Sequence, residues 1–397
     1  MTMDRRTFLQ SSLSAAALQS LGAAFPSLAF AAAPPVSSTA ASYRNLLVLI
    51  ELSGGNDGLN TVVPYADPAY YALRPKIAIA RDDVVQLSDR AGLHPALAPL
   101  EPLWRSKELA VLQGIGYPAP NLSHFRSIEI WDTASSSDAY LTDGWLTRAF
   151  AAAPAPRAFA ADGIVIGSNA MGPLAGSGTR AVALSNTDNF LRQARLAAPG
   201  GEPRNRAYRH ILTVEADIVQ AAMKLDTRHA FATEFPQGAF GNAIKTACQV
   251  IASPSGVAVV RLSLAGFDTH GAQAPTQMRL LGELGRGIVA LKSALDELAR
   301  WNDTLILTYA EFGRRPRENL SAGTDHGTAN THFALGGRVN GGFYGEAPML
   351  DRLSGDGNLA HALDFREVYA TVLERWWGLP SQPTLGKRFA PVPFVRA

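Results

Sequence analysis

The sequence predicts an α/β fold with a mostly parallel central sheet and helices on both of its faces. Continuous apolar runs such as Leu46–Leu52 (LLVLIEL) are typical of strands buried on both sides, which is the mark of a parallel sheet. Between the runs Gly256–Ala265 and Thr304–Ala310, leucines recur at three- and four-residue spacing, as in an amphipathic helix. Strand, helix and strand form a βαβ unit, whose two strands run parallel.

Composition limits the classes of protein to consider. With 397 residues, 47% hydrophobic and 18% charged, the chain can bury a large core, so a disordered or fibrous protein is excluded. The net charge of +2 comes without a basic run that could follow a phosphate backbone, so nucleic acid is not an expected partner. The single Cys248 excludes a disulfide scaffold, a zinc knuckle and a cysteine-bound iron–sulfur cluster.

The N-terminus is predicted to be an export signal. The twin arginines Arg5-Arg6 precede a moderately apolar run from Leu13 to Leu28, and Ala29-Phe30-Ala31 supplies the small residues of a cleavage site. We expect residues 1–31 to be a signal peptide for the twin-arginine export machinery and residues 32–43 to be a linker. A retained membrane anchor is the alternative, but the apolar run is interrupted and short. No membrane span is expected in the mature chain, which predicts a periplasmic or secreted protein.

Residues 44–397 are interpreted as one domain. Strands are predicted at 46–52, 109–114, 256–265 and 304–310, with a weaker one at 331–336, and helices around 207–223, 241–251 and 281–298. The less regular stretch from about 135 to 255 is interpreted as a cap or insertion on this domain.

Chemically active residues follow the predicted strands, at the edge where an open parallel sheet binds its ligands. In chain order they are Asp57 after the first strand, Ser123 after the second, Asp268 and His270 after the third, and Glu311, Asp325 and His326 after the fourth. Oxygen and imidazole groups without a thiolate suit a divalent metal: zinc, manganese, calcium or magnesium. A serine at a helix N-terminus beside such an ion is poised for nucleophilic attack.

Each residue alone also has a structural interpretation. Asp57 could simply form its turn, Ser123 could be a helix N-cap, and Glu311 could pair with a neighbouring arginine. Because all four strand ends carry such groups, the joint pattern favours a metal-assisted ester hydrolase. Four histidines have no argument attaching them to this site and are interpreted as structural or surface residues: His94, His124, His210 and His229.

The order of these parts resembles the alkaline-phosphatase superfamily. Within it, the chain is similar to an uncharacterised family of exported bacterial proteins, a domain of unknown function with a twin-arginine signal. The segments that carry the match include SGGNDGLNTVVP at 53–64, GYPAPNLSHFRSIEIW at 116–131, FDTHGAQ at 267–273, AEFGR at 310–314 and NLSAGTDHGT at 319–328. The resemblance implies an alkaline-phosphatase-like sandwich with two metal sites. It gives Asp57 and Ser123 to one site and makes Asp268 and His270 the opening ligands of the other.

The resemblance leaves two ways of placing the remaining ligands. In one, Asp325-His326 is the superfamily's Asp-His-Gly motif, and His332 or His361 is the last histidine. In the other, Glu311-Phe312 stands in the place of that motif and His326 is the last histidine. We favour the second, because Asp325-His326 follows no strand of its own. Since Phe312 cannot ligate a metal, one of the two sites would then be depleted.

The sequence therefore predicts an exported, metal-dependent hydrolase of phosphate or sulfate esters, with zinc as the first choice of ion. Ser123 is the expected nucleophile, and Arg126 or Arg314 the expected clamp for the anionic ester. The segment after Ser123 lacks the formylglycine pattern, which disfavours that type of sulfatase. A non-catalytic relative that binds an anionic envelope polymer or a partner protein is the alternative, favoured by Phe312. A serine hydrolase of the nucleophile-elbow type is disfavoured, because no GxSxG follows a strand.

Overall fold

The computed structural model describes residues 41–184 and 206–396, which all fall in one compact unit, Thr39–Ala397. The predicted signal peptide and most of the predicted linker lie outside the described residues.

Fourteen strands are present in the described residues. They are β1 (Leu46–Ser53), β2 (Val62–Val63), β3 (Val85–Gln86), β4 (Gly92–Leu93), β5 (Leu109–Gly116), β6 (Ala161–Ile166), β7 (Ala181–Leu184), β8 (Val257–Ala265), β9 (Thr304–Tyr309), β10 (Gly313–Arg314), β11 (His326–Gly327), β12 (Asn330–Leu335), β13 (Gly342–Gly345) and β14 (Leu363–Asp364).

The α-helices of the same residues are α1 (Gly58–Thr61), α2 (Pro68–Leu73), α3 (Glu101–Arg105), α4 (His124–Thr133), α5 (Trp145–Ala152), α6 (Arg206–Lys224), α7 (Ala239–Ala252), α8 (Gln273–Glu297), α9 (Phe365–Thr371) and α10 (Gln382–Leu385). A π-helical turn, Val372–Trp376, continues α9. None of the helices in the described part of the chain is long and apolar enough to cross a membrane.

The central sheet has the strand order β13-β5-β12-β9-β1-β8-β6-β7, and β14 pairs with β5. Neighbouring strands are parallel except β12, which runs antiparallel to both β5 and β9. Every strand predicted from an apolar run lies in this sheet, including the weaker one near residue 331. The predicted fold class, a mostly parallel α/β sheet, is confirmed.

Helices cover both faces of the sheet because the buried side chains of β1 alternate. Leu46, Val48 and the next residues of that parity belong to one core with α7 and α8. Leu47 and Leu49 belong to a second core on the other face, with α4, α5 and α9. Burial on both faces explains the uninterrupted apolar runs of the central strands.

The segment predicted as a cap or insertion is different in the structure. Two of its pieces, β6 and β7, extend the central sheet beyond β8. Their sequences, ADGIVI and AVAL, are short, and alanine, glycine and aspartate, which have weak strand preference, interrupt their apolar residues. Packing against β8 outweighs that preference, and this tertiary effect was not readable from the segment alone.

The topology brings several chain segments to one edge of the sheet. The parallel strands β1, β8 and β9 lie side by side and end at this edge. Because β12 is antiparallel, the residues that precede it arrive at the same edge, where β11 pairs with β10. The helix α4, which follows β5, also begins here.

Candidate metal centre

Three side chains from separate segments converge at this edge: His124 at the start of α4, Asp268 after β8, and His326 in β11. Their candidate ligand atoms all lie within 4.8 Å of one another, and we call them the His124–Asp268–His326 cluster. His326 Nε2 is 3.2 Å from Asp268 Oδ1, and His124 Nε2 is 3.5 Å from Asp268 Oδ2. Ligands of a tetrahedral zinc ion lie about 3.3 Å apart, given bonds of about 2.0–2.1 Å. The spacing therefore suits one such ion.

His270 adjoins the cluster. Its Nε2 is 3.0 Å from Asp268 Oδ1 and also 3.0 Å from His326 Nε2. The three imidazoles are oriented through their other nitrogens: Leu122 O is 2.8 Å from His326 Nδ1, Glu311 Oε1 is 2.8 Å from His124 Nδ1, and Asp325 Oδ1 is 3.4 Å from His270 Nδ1.

These contacts fix what the cluster can bind. An Nδ1 that faces a carbonyl or carboxylate oxygen carries the proton, so the Nε2 lone pair is free. The lone pairs of His270 and His326 then oppose each other at 3.0 Å beside a carboxylate, an arrangement that a cation would stabilise. The donor set of imidazole and carboxylate fits a divalent transition metal.

Glu311, predicted as a ligand, lies behind His124. Its side chain is buried, and Oε1 accepts hydrogen bonds from His124 Nδ1 and from the backbone N–H of Gly54, at 2.8 and 2.9 Å. The other oxygen, Oε2, has no hydrogen-bond partner among the described residues. The hydroxyl of Ser127 donates to the Glu311 carbonyl, which ties α4 to the end of β9. Glu311 thus orients a histidine of the cluster.

Asp325, also predicted as a ligand, holds a similar place behind His270. Its Oδ1 accepts a hydrogen bond from Asn319 Nδ2 at 3.2 Å and lies 3.4 Å from His270 Nδ1. The hydrogen bond from Asn319, assisted by His270, lowers the pKa of Asp325. Its side chain is 55% exposed, so water competes with this contact more than at Glu311.

The carboxylate of Asp268 is kept ionised. Partial burial by itself would raise its pKa, but the hydrogen bond and charge of Arg314, with His326 and His124, lower the pKa to about 2. Arg314 Nη2 lies 2.7 Å from Oδ1. Burial also lowers the pKa of His326, which favours the neutral imidazole that a metal requires.

Phe312 forms a wall of the cluster. Its buried ring lies 4.9 Å from the ring of His124 and 4.5 Å from that of His326, centre to centre. It also fills the space above Gly55, where a Cβ would come within 2.5 Å of the ring and where φ is +75°. The residue that cannot ligate therefore fixes two imidazoles by packing.

The two alternatives for the last histidine can be compared in the structure. His326 lies in the cluster and leads into β12, as the favoured placement requires. His332 is fully buried on β12 against Trp131, with ring centres 5.7 Å apart, and His361 abuts Gly116. Neither His332 nor His361 belongs to the group of candidate ligands found in the described residues.

Asp57, the predicted ligand after β1, lies outside the cluster. It is the N-cap of α1, and its fully buried carboxylate forms an ion pair with Arg74 at 2.6 Å. Gln273 Nε2 donates to the same carboxylate at 2.5 Å. A buried arginine therefore supplies the positive charge at this carboxylate.

Ser123, the predicted nucleophile, immediately precedes His124. It is exposed and occupies the N-cap position of α4, but its hydroxyl makes no capping hydrogen bond. The helix turn is closed instead through its carbonyl, which accepts from Ser127 N at 2.8 Å. The hydroxyl is thus not engaged as a cap, at the positive end of a helix dipole.

The two arginines predicted as clamps are both engaged elsewhere. Arg314 is buried, and besides Asp268 its guanidinium donates to four backbone carbonyls: Gly54, Gly55, Phe267 and Thr324. Arg126 donates to the carbonyls of Ser137 and Ala139 at 3.1 and 2.6 Å, under the ring of Tyr140. Each arginine braces a loop.

His124, expected from the sequence to be a structural or surface residue, is a member of the cluster. The missed signal was its position beside Ser123, at the start of a helix that follows a strand. His94 does have a structural role: it is buried, accepts from Ala96 N at 3.0 Å, and burial lowers its pKa to about 4.

Two comparisons of the sequence bear on its family. Residues 44–385 match the family described as "Protein of unknown function (DUF1501)". No curated protein matches the sequence.

Solved structures similar to this chain include the C-terminal periplasmic domain of EcEptC from Escherichia coli in complex with Zn, at a TM-score of 0.38 and 10% identity, over 77% of either chain. The lipoteichoic acid synthase LtaP from Listeria monocytogenes has a TM-score of 0.37 and 8% identity, over 89% of this chain and 75% of that one. The alkaline phosphatase from the Antarctic bacterium TAB5 has a TM-score of 0.32 and 12% identity, over 76% and 94%. At these values the similarity is weak, and the case for a function rests on the side chains of the site.

Proposed function

The chain belongs to the DUF1501 family, and we propose that this member is an exported, metal-dependent hydrolase of phosphate or sulfate esters with a serine nucleophile. The observation that carries the proposal is the convergence of imidazole Nε2 atoms on Asp268, with each Nδ1 turned toward an oxygen acceptor. Such an arrangement is typical of metal ligands, whose second nitrogens are held by carboxylates or carbonyls.

The site residues divide into two layers. His124, Asp268 and His326 would hold the ion, with His270 beside them, while Glu311 and Asp325 orient the histidines. A bound zinc ion would supply Lewis-acid charge for an anionic ester.

Ser123 supports the hydrolytic part of the proposal. Its hydroxyl lies at the start of α4 without a capping bond, one residue from a proposed ligand. In the reaction the serine oxygen would bond to phosphorus or sulfur as the ester oxygen leaves, and the departing alcohol would take up the serine proton. Water would then release the acid from Ser123. The amide dipoles of α4 would stabilise the negative charge that develops there.

Export is the remaining part of the proposal. The twin arginines and the cleavage site near residue 31 support passage through the twin-arginine machinery to the periplasm or beyond. An anionic ester is the proposed substrate, and zinc is the proposed ion.

The first experiment is elemental analysis of the mature protein, purified without chelators. One divalent ion per chain, lost when Asp268 and His270 are both changed to Ala, is the expected result. Protein that folds normally and binds no ion would overturn the metal centre. It would favour the alternative of a non-catalytic protein that binds an anionic envelope polymer or a partner protein.

The second experiment measures turnover of aryl phosphate, phosphodiester and sulfate esters by the zinc-loaded protein. Ser123→Ala should abolish turnover and leave the metal content unchanged, because the hydroxyl makes no capping bond. Equal turnover in this variant would remove Ser123 as the nucleophile.

A further inference from the structure

Neither of the two arginines predicted as a clamp is free to hold a substrate at the cluster. The guanidinium of Arg314 donates its hydrogen bonds to backbone carbonyls and to Asp268. Arg126 is buried under Tyr140 and pairs with Glu129 at 2.9 Å. In the described part of the chain, neither of the arginines predicted to hold a phosphate can turn to a substrate without giving up these bonds.

The charges around the cluster therefore set the charge of the ligand it accepts. The negative groups are Asp268, Glu311 and Asp325. The positive groups are Arg314, which touches Asp268, and Arg315, whose charge acts on Asp325. With one divalent ion, these groups leave a single positive charge. A monoanion balances that charge, whereas the dianion of a phosphate monoester leaves one negative charge uncompensated.

Large apolar side chains stand exposed next to the cluster. Phe125 follows His124 in the first turn of α4 and is 89% exposed. Leu320 is 98% exposed, in a turn held by Asn319, whose Nδ2 donates to the carbonyl of His270 at 2.8 Å. The same Asn319 accepts through Oδ1 from the backbone of the turn, so Leu320 is kept in solvent by an ordered structure.

The two residues belong to different segments, each of which contributes a side chain at or beside the cluster. Phe125 is next in sequence to His124 of the cluster, and Leu320 is next to Asn319, which contacts His270. Isolated exposed apolar residues are common on proteins, but two at the rim of one charged site offer surface that a ligand can bury. An ester with an apolar group on one side would bury that surface while its anionic group meets the ion.

We propose that the substrate of this site is a monoanionic ester with an apolar arm, either a phosphodiester or a sulfate ester, whose arm packs on Phe125 and Leu320. This inference rests on the proposed function for its reaction, but the ligand class can be tested by binding as well.

The turnover experiment compares esters with one leaving group: p-nitrophenyl phosphate, methyl p-nitrophenyl phosphate, phenyl p-nitrophenyl phosphate and p-nitrophenyl sulfate. Each kcat/KM of the zinc-loaded protein is divided by the uncatalysed rate. We expect the diesters to exceed the phosphate monoester by at least about tenfold, because the extra charge is uncompensated. The phenyl diester should exceed the methyl diester by about tenfold, for the apolar area it buries. Comparing p-nitrophenyl sulfate with the diesters shows whether the site prefers a sulfate ester or a phosphodiester.

The binding experiment uses zinc-loaded Ser123→Ala protein and calorimetry at pH 8 with diphenyl phosphate, dimethyl phosphate and inorganic phosphate. Diphenyl phosphate should bind most tightly, and its advantage over dimethyl phosphate should be lost when Phe125→Ser and Leu320→Ser are added. The control is Met223→Ser, which changes another exposed apolar residue, 64% exposed on α6 beside the edge strand β7, and should keep that advantage.

The outcomes separate the two proposals. Tighter binding or faster turnover of the phosphate dianion would overturn the charge argument, and equal affinity for diphenyl and dimethyl phosphate would overturn the apolar arm. If diphenyl phosphate binds as expected while no ester is hydrolysed, the ligand class stands and the hydrolase function fails.

Discussion

Changing Glu311 to Gln tests whether this residue positions His124. The buried carboxylate accepts from His124 Nδ1 at 2.8 Å and from Gly54 N at 2.9 Å. Gln keeps the shape and one carbonyl oxygen, so both hydrogen bonds remain but lose the help of the negative charge. Hydrogen bonds to charged groups contribute about 1.5–3 kcal/mol and neutral ones about 0.5–1.5 kcal/mol. A loss of about 1.4 kcal/mol weakens the affinity for zinc about tenfold.

The assay is competition for zinc against a chromophoric chelator, with the thermal stability of the metal-free protein measured beside it. Glu311→Gln should lower the affinity and should also lower metal-free stability by about 1 kcal/mol, because the same two hydrogen bonds weaken without the metal. Glu311→Ala, which leaves two buried donors unpaired, should lower both. The matched control is Asp325→Asn, because that carboxylate is 55% exposed and 3.4 Å from its histidine, so an effect below about threefold is expected. Wild-type affinity in Glu311→Gln would refute the positioning role.

Three further predictions concern stability. Arg74→Met leaves the carboxylate of Asp57 buried without its partner, so unfolding by urea should show a loss of about 3–5 kcal/mol. Adding Asp57→Asn should recover part of that loss, and a cost below about 1 kcal/mol for the single variant would contradict the buried pair. Burial lowers the pKa of His332 to about 3, whereas the unfolded histidine titrates near 6.5. The unfolded chain therefore binds the extra proton between these values, and stability should fall by up to about 1.4 kcal/mol per pH unit as the pH drops below about 6. His332→Leu should reduce that slope by up to about 1.4 kcal/mol per pH unit, while the contribution of His94, whose pKa burial lowers to about 4, remains; equal slopes in both proteins would argue against the role of His332. Removing zinc with a chelator should cost about 2.7 kcal/mol relative to protein held at a hundred times the dissociation constant, and the double variant His124→Ala and His326→Ala should show no such difference in its melting temperature.

Much of the fold could be predicted from the sequence, because a central strand that is buried on both faces has an uninterrupted apolar sequence. The runs at β1, β5, β8 and β9 are mostly apolar, β12 (NTHFAL) is less so, and α8 carries its leucines at helical spacing. The strands β6 and β7 left no such trace, since short alanine- and glycine-containing segments look like loops until a neighbouring strand pairs with them.

The sequence predicted which residues lie at the site, because they follow strands, but it did not predict the direction of their side chains. Asp268, His270 and His326 were predicted to meet, and they do lie together. The sequence could not show that Arg314 would be engaged by backbone carbonyls or that Asp57 would pair with an arginine 17 positions away. Nor could it show that Glu311 and Asp325 would each stand behind an imidazole. Side-chain direction depends on packing between distant segments, which spacing along the chain does not report.

The antiparallel course of β12 has a consequence for how the protein is made. His326 donates to the carbonyl of Leu122, 204 residues earlier in the chain, and it reaches that partner only when β12 has inserted between β5 and β9. Two other segments of the cluster, the start of α4 and the turn after β8, are synthesised long before. Ion capture at the complete cluster would therefore follow the insertion of β12, and a chain cut short before β12 would lack the strand that brings His326 to its place. Possession of the ion would distinguish finished molecules from incomplete ones.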